Sequence, residues 1–156
     1  MRAFLIAIVL TAIAGTPAAF SQESKPSHST TVADPELAKQ LGADRRGMRN
    51  YVLVILKTGP HRVPDGPARD KMFEGHFANI KRLADAHKLV LAGPFGDKND
   101  WRGMFVFAVK TPDEAVALVA TDPVIKSGEM IAEYHTLYAT AALMAVTDIH
   151  EKITPQ

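Results

Sequence analysis

Cysteine is absent from the 156 residues. That excludes disulfides, a cysteine nucleophile and a lipid anchor on a cysteine, so the core and any subunit interface must supply the stability. An excess of charge is lacking too: Lys and Arg number 18, Asp and Glu 17, for a formal net charge of +1. A chain this neutral gives no electrostatic reason to bind nucleic acid or an anionic membrane surface. No internal repeat or low-complexity tract interrupts it. A membrane-spanning run is also missing, because the apolar stretch at 3–14 falls short of the roughly 20 residues a spanning helix needs. What remains, 47% apolar and 22% charged, is the balance of one ordinary globular domain.

Residues 1–21 read as a secretory signal peptide. Met1-Arg2 is a short positive start, Thr16-Pro17 breaks the apolar run, and Ala19-Phe20-Ser21 places small residues before Gln22. Cleavage after Ser21 removes Arg2 and no acid, so the formal charge falls from +1 to 0. The destination is periplasmic or secreted, with no membrane contact after cleavage. Residues 22–46 form a polar leader that closes on a short helix. Asp34-Pro35 supplies its cap and first position, and Gly42 stops it.

The domain proper spans 47–140, followed by a C-terminal helix and tail at 141–156. The run YVLVIL at 51–56 is a strand buried on both faces. A loop rich in proline leads to a helix that begins near Pro67 and closes at His87-Lys88, where His87 suits the negative end of the helix. Strands follow at 89–92 and 104–109. Thr111-Pro112-Asp113-Glu114 starts a second helix, Asp122-Pro123 a single turn, and an alternating strand occupies 130–138. The order strand, helix, strand, strand, helix, strand is the ferredoxin-like βαββαβ pattern of the α+β class. It predicts a four-stranded antiparallel sheet with its helices on one face. The other face needs a cover, and a second copy stacked sheet to sheet makes a homodimer the expected solution.

The stretch from Met72 to Phe95, MFEGHFANIKRLADAHKLVLAGPF, carries the chemistry. At about 100° per residue, Phe73, Phe77, Ile80, Leu83 and Ala84 share one sector, and His76 falls inside it. Asn79, Lys81, Arg82 and Asp85 fall on the opposite, polar face. An inward imidazole needs a partner, because a buried unpaired donor costs about 1–3 kcal/mol. Asp122, in the Thr121-Asp122-Pro123 turn, is the candidate. Gly75, next to His76, allows a close approach of backbone or ligand, or is neutral.

The segments YVLVILKTGP, FEGHFANIKRLADAHKLVLAGPF and WRGMFVFAVKTPDEAVALVATDP, with the final strand, resemble the YciI (YCII-related) family over about residues 47–140. LGADRRGMRN resembles the lead-in of its exported members. The resemblance implies a dimeric α/β-barrel of ferredoxin-like subunits. It also implies a histidine on the first helix and an aspartate in a D-P turn that line a pocket and act as an acid–base pair. In this chain these are His76 and Asp122. A few members resemble lyase-type or dehalogenating enzymes acting on small ring compounds.

The residues themselves leave plainer readings open. Asp122 before Pro123 is a sufficient N-cap, and His76 suits a core histidine bonded to a carbonyl. As a pair, the carboxylate fixes the tautomer and the other ring nitrogen moves a proton. With no activated Ser, Cys or Lys in view, that points to cofactor-independent elimination, isomerisation or lyase chemistry. The ligand is a small, cyclic or anionic molecule. Lys57 and Arg102 are candidates for holding an anionic group or are solvated surface charges, and Phe95 and Trp101 are candidates for walling a ring or pack in the core or a dimer contact. The six histidines show no metal-site spacing, so neither metal nor cofactor is expected. The alternative is a non-catalytic periplasmic module that binds a small ligand or a partner.

Overall fold

The computed structural model describes residues 32–155. The signal peptide, its cleavage point and most of the leader lie outside them. Helix α1 (Pro35–Gln40) is capped as its sequence predicts, with Asp34 accepting from Glu36 N and Leu37 N at 3.0 Å. It buries no residue, and its link to the domain is a bond from Arg49 Nη1 to Leu41 O at 2.9 Å.

Strand β1 (Met48–Thr58) is central, with β3 (Trp101–Phe107) on one side and β4 (Met130–Thr140) on the other. Strand β2 (Leu89–Pro94) pairs with β3 at the edge, giving the all-antiparallel order β2-β3-β1-β4. This is the ferredoxin-like sheet. Both outer segments of β1 and β4 are longer than hydropathy predicts, because Met48, Arg49 and Asn50 pair with Thr140, Ala139 and Tyr138.

Helices α2 (Pro67–Asp85), α3 (Pro112–Val119) and the single turn α4 (Pro123–Lys126) lie on one face. The core there is built from Val52, Val54 and Leu56 of β1, Phe105 and Phe107 of β3, and Met72, Leu83, Val119 and Val124 from the helices. Helix α2 ends where His87 adopts φ +51 and Lys88 N donates to Leu83 O at 3.0 Å. His87 thus serves the helix terminus, in a left-handed conformation that histidine tolerates better than most residues.

The opposite face departs from expectation. The C-terminal segment is a 3₁₀ turn (Ala141–Ala145) followed by α5 (Val146–Ile153). Leu143 and Met144 of the turn pack over Tyr51, Val90 and Val106. The chain therefore covers part of this face itself, and among the described residues the rest stays uncovered. No helix among the described residues is long and apolar enough to cross a membrane.

Candidate active site

The inward stripe of α2 is Met72, His76, Asn79 and Leu83. Relative to the predicted sector it is rotated by about one position. Phe77 stands 64% exposed, and Asn79, expected among the polar residues, is buried at 9%. His76 is buried at the centre of the stripe, beneath Phe73, Phe77 and Phe105, whose ring centroids lie 6.1, 5.4 and 6.1 Å from the imidazole.

Close packing of α2 against α4 brings the distant carboxylate to this ring. A Cβ on Gly75 would sit 3.0 Å from Pro123 Cγ, so the absence of a side chain admits the proline ring. Asp122 is fully buried, and its two oxygens lie 3.0 and 2.9 Å from His76 Nδ1. Oδ1 also accepts from Val124 N at 3.1 Å, capping α4. Capping and pairing are thus done at once by one side chain, and neither reading excludes the other. An ionised carboxylate only accepts, so the ring proton belongs on Nδ1.

Nε2 is left as the free nitrogen. It has no hydrogen-bond partner among the described residues, and it is not among their sealed, unpaired atoms. The ring lines a cavity of about 390 Å3 between α2 and the β2–β3–β1 sheet. Phe73, Phe77, Ile80, Phe105 and Met130 make its walls apolar, while Gly93 and Gly103 of the sheet add no side chain to it. Arg102 lines the same cavity and enters no ion pair among the described residues.

A register shift between Leu56 and Lys57 sets Lys57 opposite Trp101 and leaves Arg102 as the extra residue. Such a bulge re-aims side chains. Arg102 comes to line the cavity on the helical side, and Trp101 goes to the other, where alternation along β1 already puts Lys57. Of the four candidate ligand-binding residues, therefore, only Arg102 meets His76. Lys57 pairs with Asp100 at 3.4 Å and Glu133 at 3.5 Å, and its pKa is raised by the charge of Asp100 foremost. Phe95 and Trp101 pack together at 5.4 Å and border a separate hollow on the opposite face with Leu53, Ile55 and His135. The sequence made all three of these candidates for the pocket; the bulge takes Trp101 away from it, Phe95 packs on Trp101, and Lys57 follows the inward Leu56 and so faces outward along β1.

Two groups went unread in the sequence. Asn79 Nδ2 donates to Asp122 Oδ2 at 3.2 Å, and its own Oδ1 accepts from Arg82 Nη2 at 2.7 Å and Thr121 Oγ1 at 3.0 Å. Its spacing of three from His76 put it on the same helical face and was the available signal. Glu129 is 2% exposed, pairs with Arg69 Nη2 at 2.7 Å and accepts from Val63 N at 2.7 Å. The Arg69 hydrogen bond, with help from Val63, holds its carboxyl below the ordinary glutamate range. Arg69 lies 4.9 Å over the ring of Phe73, so this pair braces a wall of the cavity. Among the described residues no three His, Cys, Asp or Glu side chains gather as a metal site would require.

No family model matches the chain, and no curated protein matches it. Among solved structures it is similar to 5-chloro-2-hydroxyhydroquinone dehydrochlorinase from Burkholderia phenoliruptrix AC1100, in complex with 2,5-dihydroxybenzoquinone. Identity is 22%, coverage 56% of this chain and 89% of that one, and the TM-score 0.38.

Proposed function

We propose that this chain is a YciI-like, cofactor-independent acid–base enzyme acting on a small, cyclic or anionic molecule by elimination, isomerisation or lyase chemistry. One observation carries the reading. Asp122 occupies Nδ1 of His76, and the ring lines a cavity with Nε2 free. Nε2 takes a proton from a carbon or hydroxyl of the bound molecule. The resulting imidazolium is stabilised by Asp122, and the proton is returned to another atom or to the leaving group. The apolar walls exclude water and favour a flat, weakly polar body. Arg102 holds an anionic substituent at the edge.

The proposal includes a homodimer formed through the uncovered part of the sheet, and export to the periplasm or medium on residues 1–21. Lys57, Phe95 and Trp101 then belong to the subunit contact and not to the catalytic cavity.

The test begins with thermal shift against small carboxylated or hydroxylated ring compounds, since a ligand of the native state raises its melting temperature. Hits are carried to turnover assays in wild type, His76→Asn and Arg102→Met. The expected pattern is binding lost or weakened in Arg102→Met and turnover lost in His76→Asn with binding kept. Ligands that bind wild type without being changed would favour a non-catalytic binding module.

A further inference from the structure

We infer that Asn79 is a positioning residue for the His76–Asp122 pair: its amide fixes the Asp122 carboxylate, and through it the tautomer of the imidazole. The inference rests on the acid–base reading above and adds a residue to its machinery. A carboxamide fits either way round, and its neighbours decide which end donates. Here they leave one solution. Arg82 Nη2, a donor only, stands 2.7 Å from one end. Asp122 Oδ2, an acceptor only when ionised, stands 3.2 Å from the other. Thr121 Oγ1 lies 3.0 Å from the oxygen end and 3.1 Å from Arg82 Nη2, closing a small ring of contacts. Oδ1 of Asn79 therefore faces Arg82, and Nδ2 faces Asp122.

The consequence falls on the carboxylate. The Val124 N–H grips Oδ1 and the Asn79 Nδ2–H grips Oδ2, so donors from two helices pin both oxygens. With the cap alone, only Oδ1 is held from outside the pair. Pinned at both ends, it keeps the two oxygens 3.0 and 2.9 Å from His76 Nδ1 and holds the proton there. In the neutral ring Nε2 is then the nitrogen without a proton, the one able to act as a base. The other charged groups near this cluster are Arg82, held by Asn79, and Arg102, across the cavity.

The test reads the ring directly by nitrogen-15 NMR of the folded chain, which distinguishes the tautomers, together with exchange of the Nδ1 proton with water. Wild type is expected to show one tautomer, protonated at Nδ1. Asn79→Leu removes the donor at nearly constant volume and is expected to exchange that proton about tenfold faster, the loss of one hydrogen bond, with the second tautomer appearing. Thr121→Val keeps Asn79 and its contact with Arg82 but removes the second group at its Oδ1, and is expected to move the ring the same way by less. If Asn79→Leu does not fold, Thr121→Val decides alone. A residue that merely fills space would lower the melting temperature and leave the ring signals as in wild type, and that result in either folded variant overturns the inference. No substrate is needed, so a missing turnover would count against the acid–base reading and not against this placement.

Discussion

Asp122 has two tasks that a single substitution can separate. As the cap of α4 it needs an acceptor for Val124 N, and as the partner of His76 it needs negative charge. Asparagine caps about as well as aspartate but supplies an uncharged amide to the ring. Asp122→Asn is therefore predicted to cost about 1–3 kcal/mol of stability, by urea unfolding, through mismatched donors. Turnover should fall about a hundredfold or more, as expected when acid–base catalysis is lost. An aspartate that only capped would leave both near wild type. Glu129 makes the pH prediction. Its carboxyl is held below the ordinary value of about 4.5 by Arg69. The native state thus binds this proton less readily than the unfolded chain does. The contribution is complete above that ordinary value and drains away as pH falls through the lower, native one. Glu129→Gln should destabilise the neutral protein by about 3 kcal/mol, the cost of breaking a buried pair, and should flatten the acid limb of a stability–pH curve.

At the scale of elements, the site depends on how closely two helices approach. Gly75→Ala tests this. Alanine gains about 1 kcal/mol of helix propensity, but its methyl would meet Pro123 Cγ at 3.0 Å and press α4 outward. The two effects oppose, so thermal stability is predicted to stay within about 1 kcal/mol of wild type. Turnover should fall about tenfold as the pair loosens. Legibility in the sequence divides along the same line. His76, Asp122 and the turn that carries the latter were readable, because helical periodicity and the D-P cap are local signals. Asn79 was readable from its spacing, yet the apolar stripe misled: Phe77 is apolar but faces outward beside the cavity, and the true inward line runs one position away. The fate of Trp101 and Arg102 was not readable. It turns on one extra residue in β3, and a bulge of that kind exchanges faces without any mark in local hydropathy. Glu129 lay hidden because its partners, Arg69 and Val63, come from a distant loop and helix.

For the whole molecule, the order of elements was enough to give the sheet, since βαββαβ leaves few ways to pair the strands. One cover of the second face was not foreseen. Leu143 and Met144 bury one part of it, and Trp101, 42% exposed beside Leu53 and Ile55, marks the part left open. Sedimentation of the chain lacking residues 1–21 is predicted to give a dimer. Trp101→Glu should weaken it at least about tenfold, the loss expected for an aromatic anchor. A monomeric wild type would remove the subunit contact from the account.

The function proposed for this chain is the movement of a proton at His76, and isotope exchange observes that movement itself. With a ligand found by thermal shift, the protein is placed in heavy water and deuterium entering a carbon-bound position of the ligand is followed by mass spectrometry. Wild type is predicted to wash deuterium in, and His76→Asn to do so at least about a hundredfold more slowly while still binding the ligand. Equal exchange in the two proteins, or a bound ligand that acquires no deuterium and is not converted, would contradict the account.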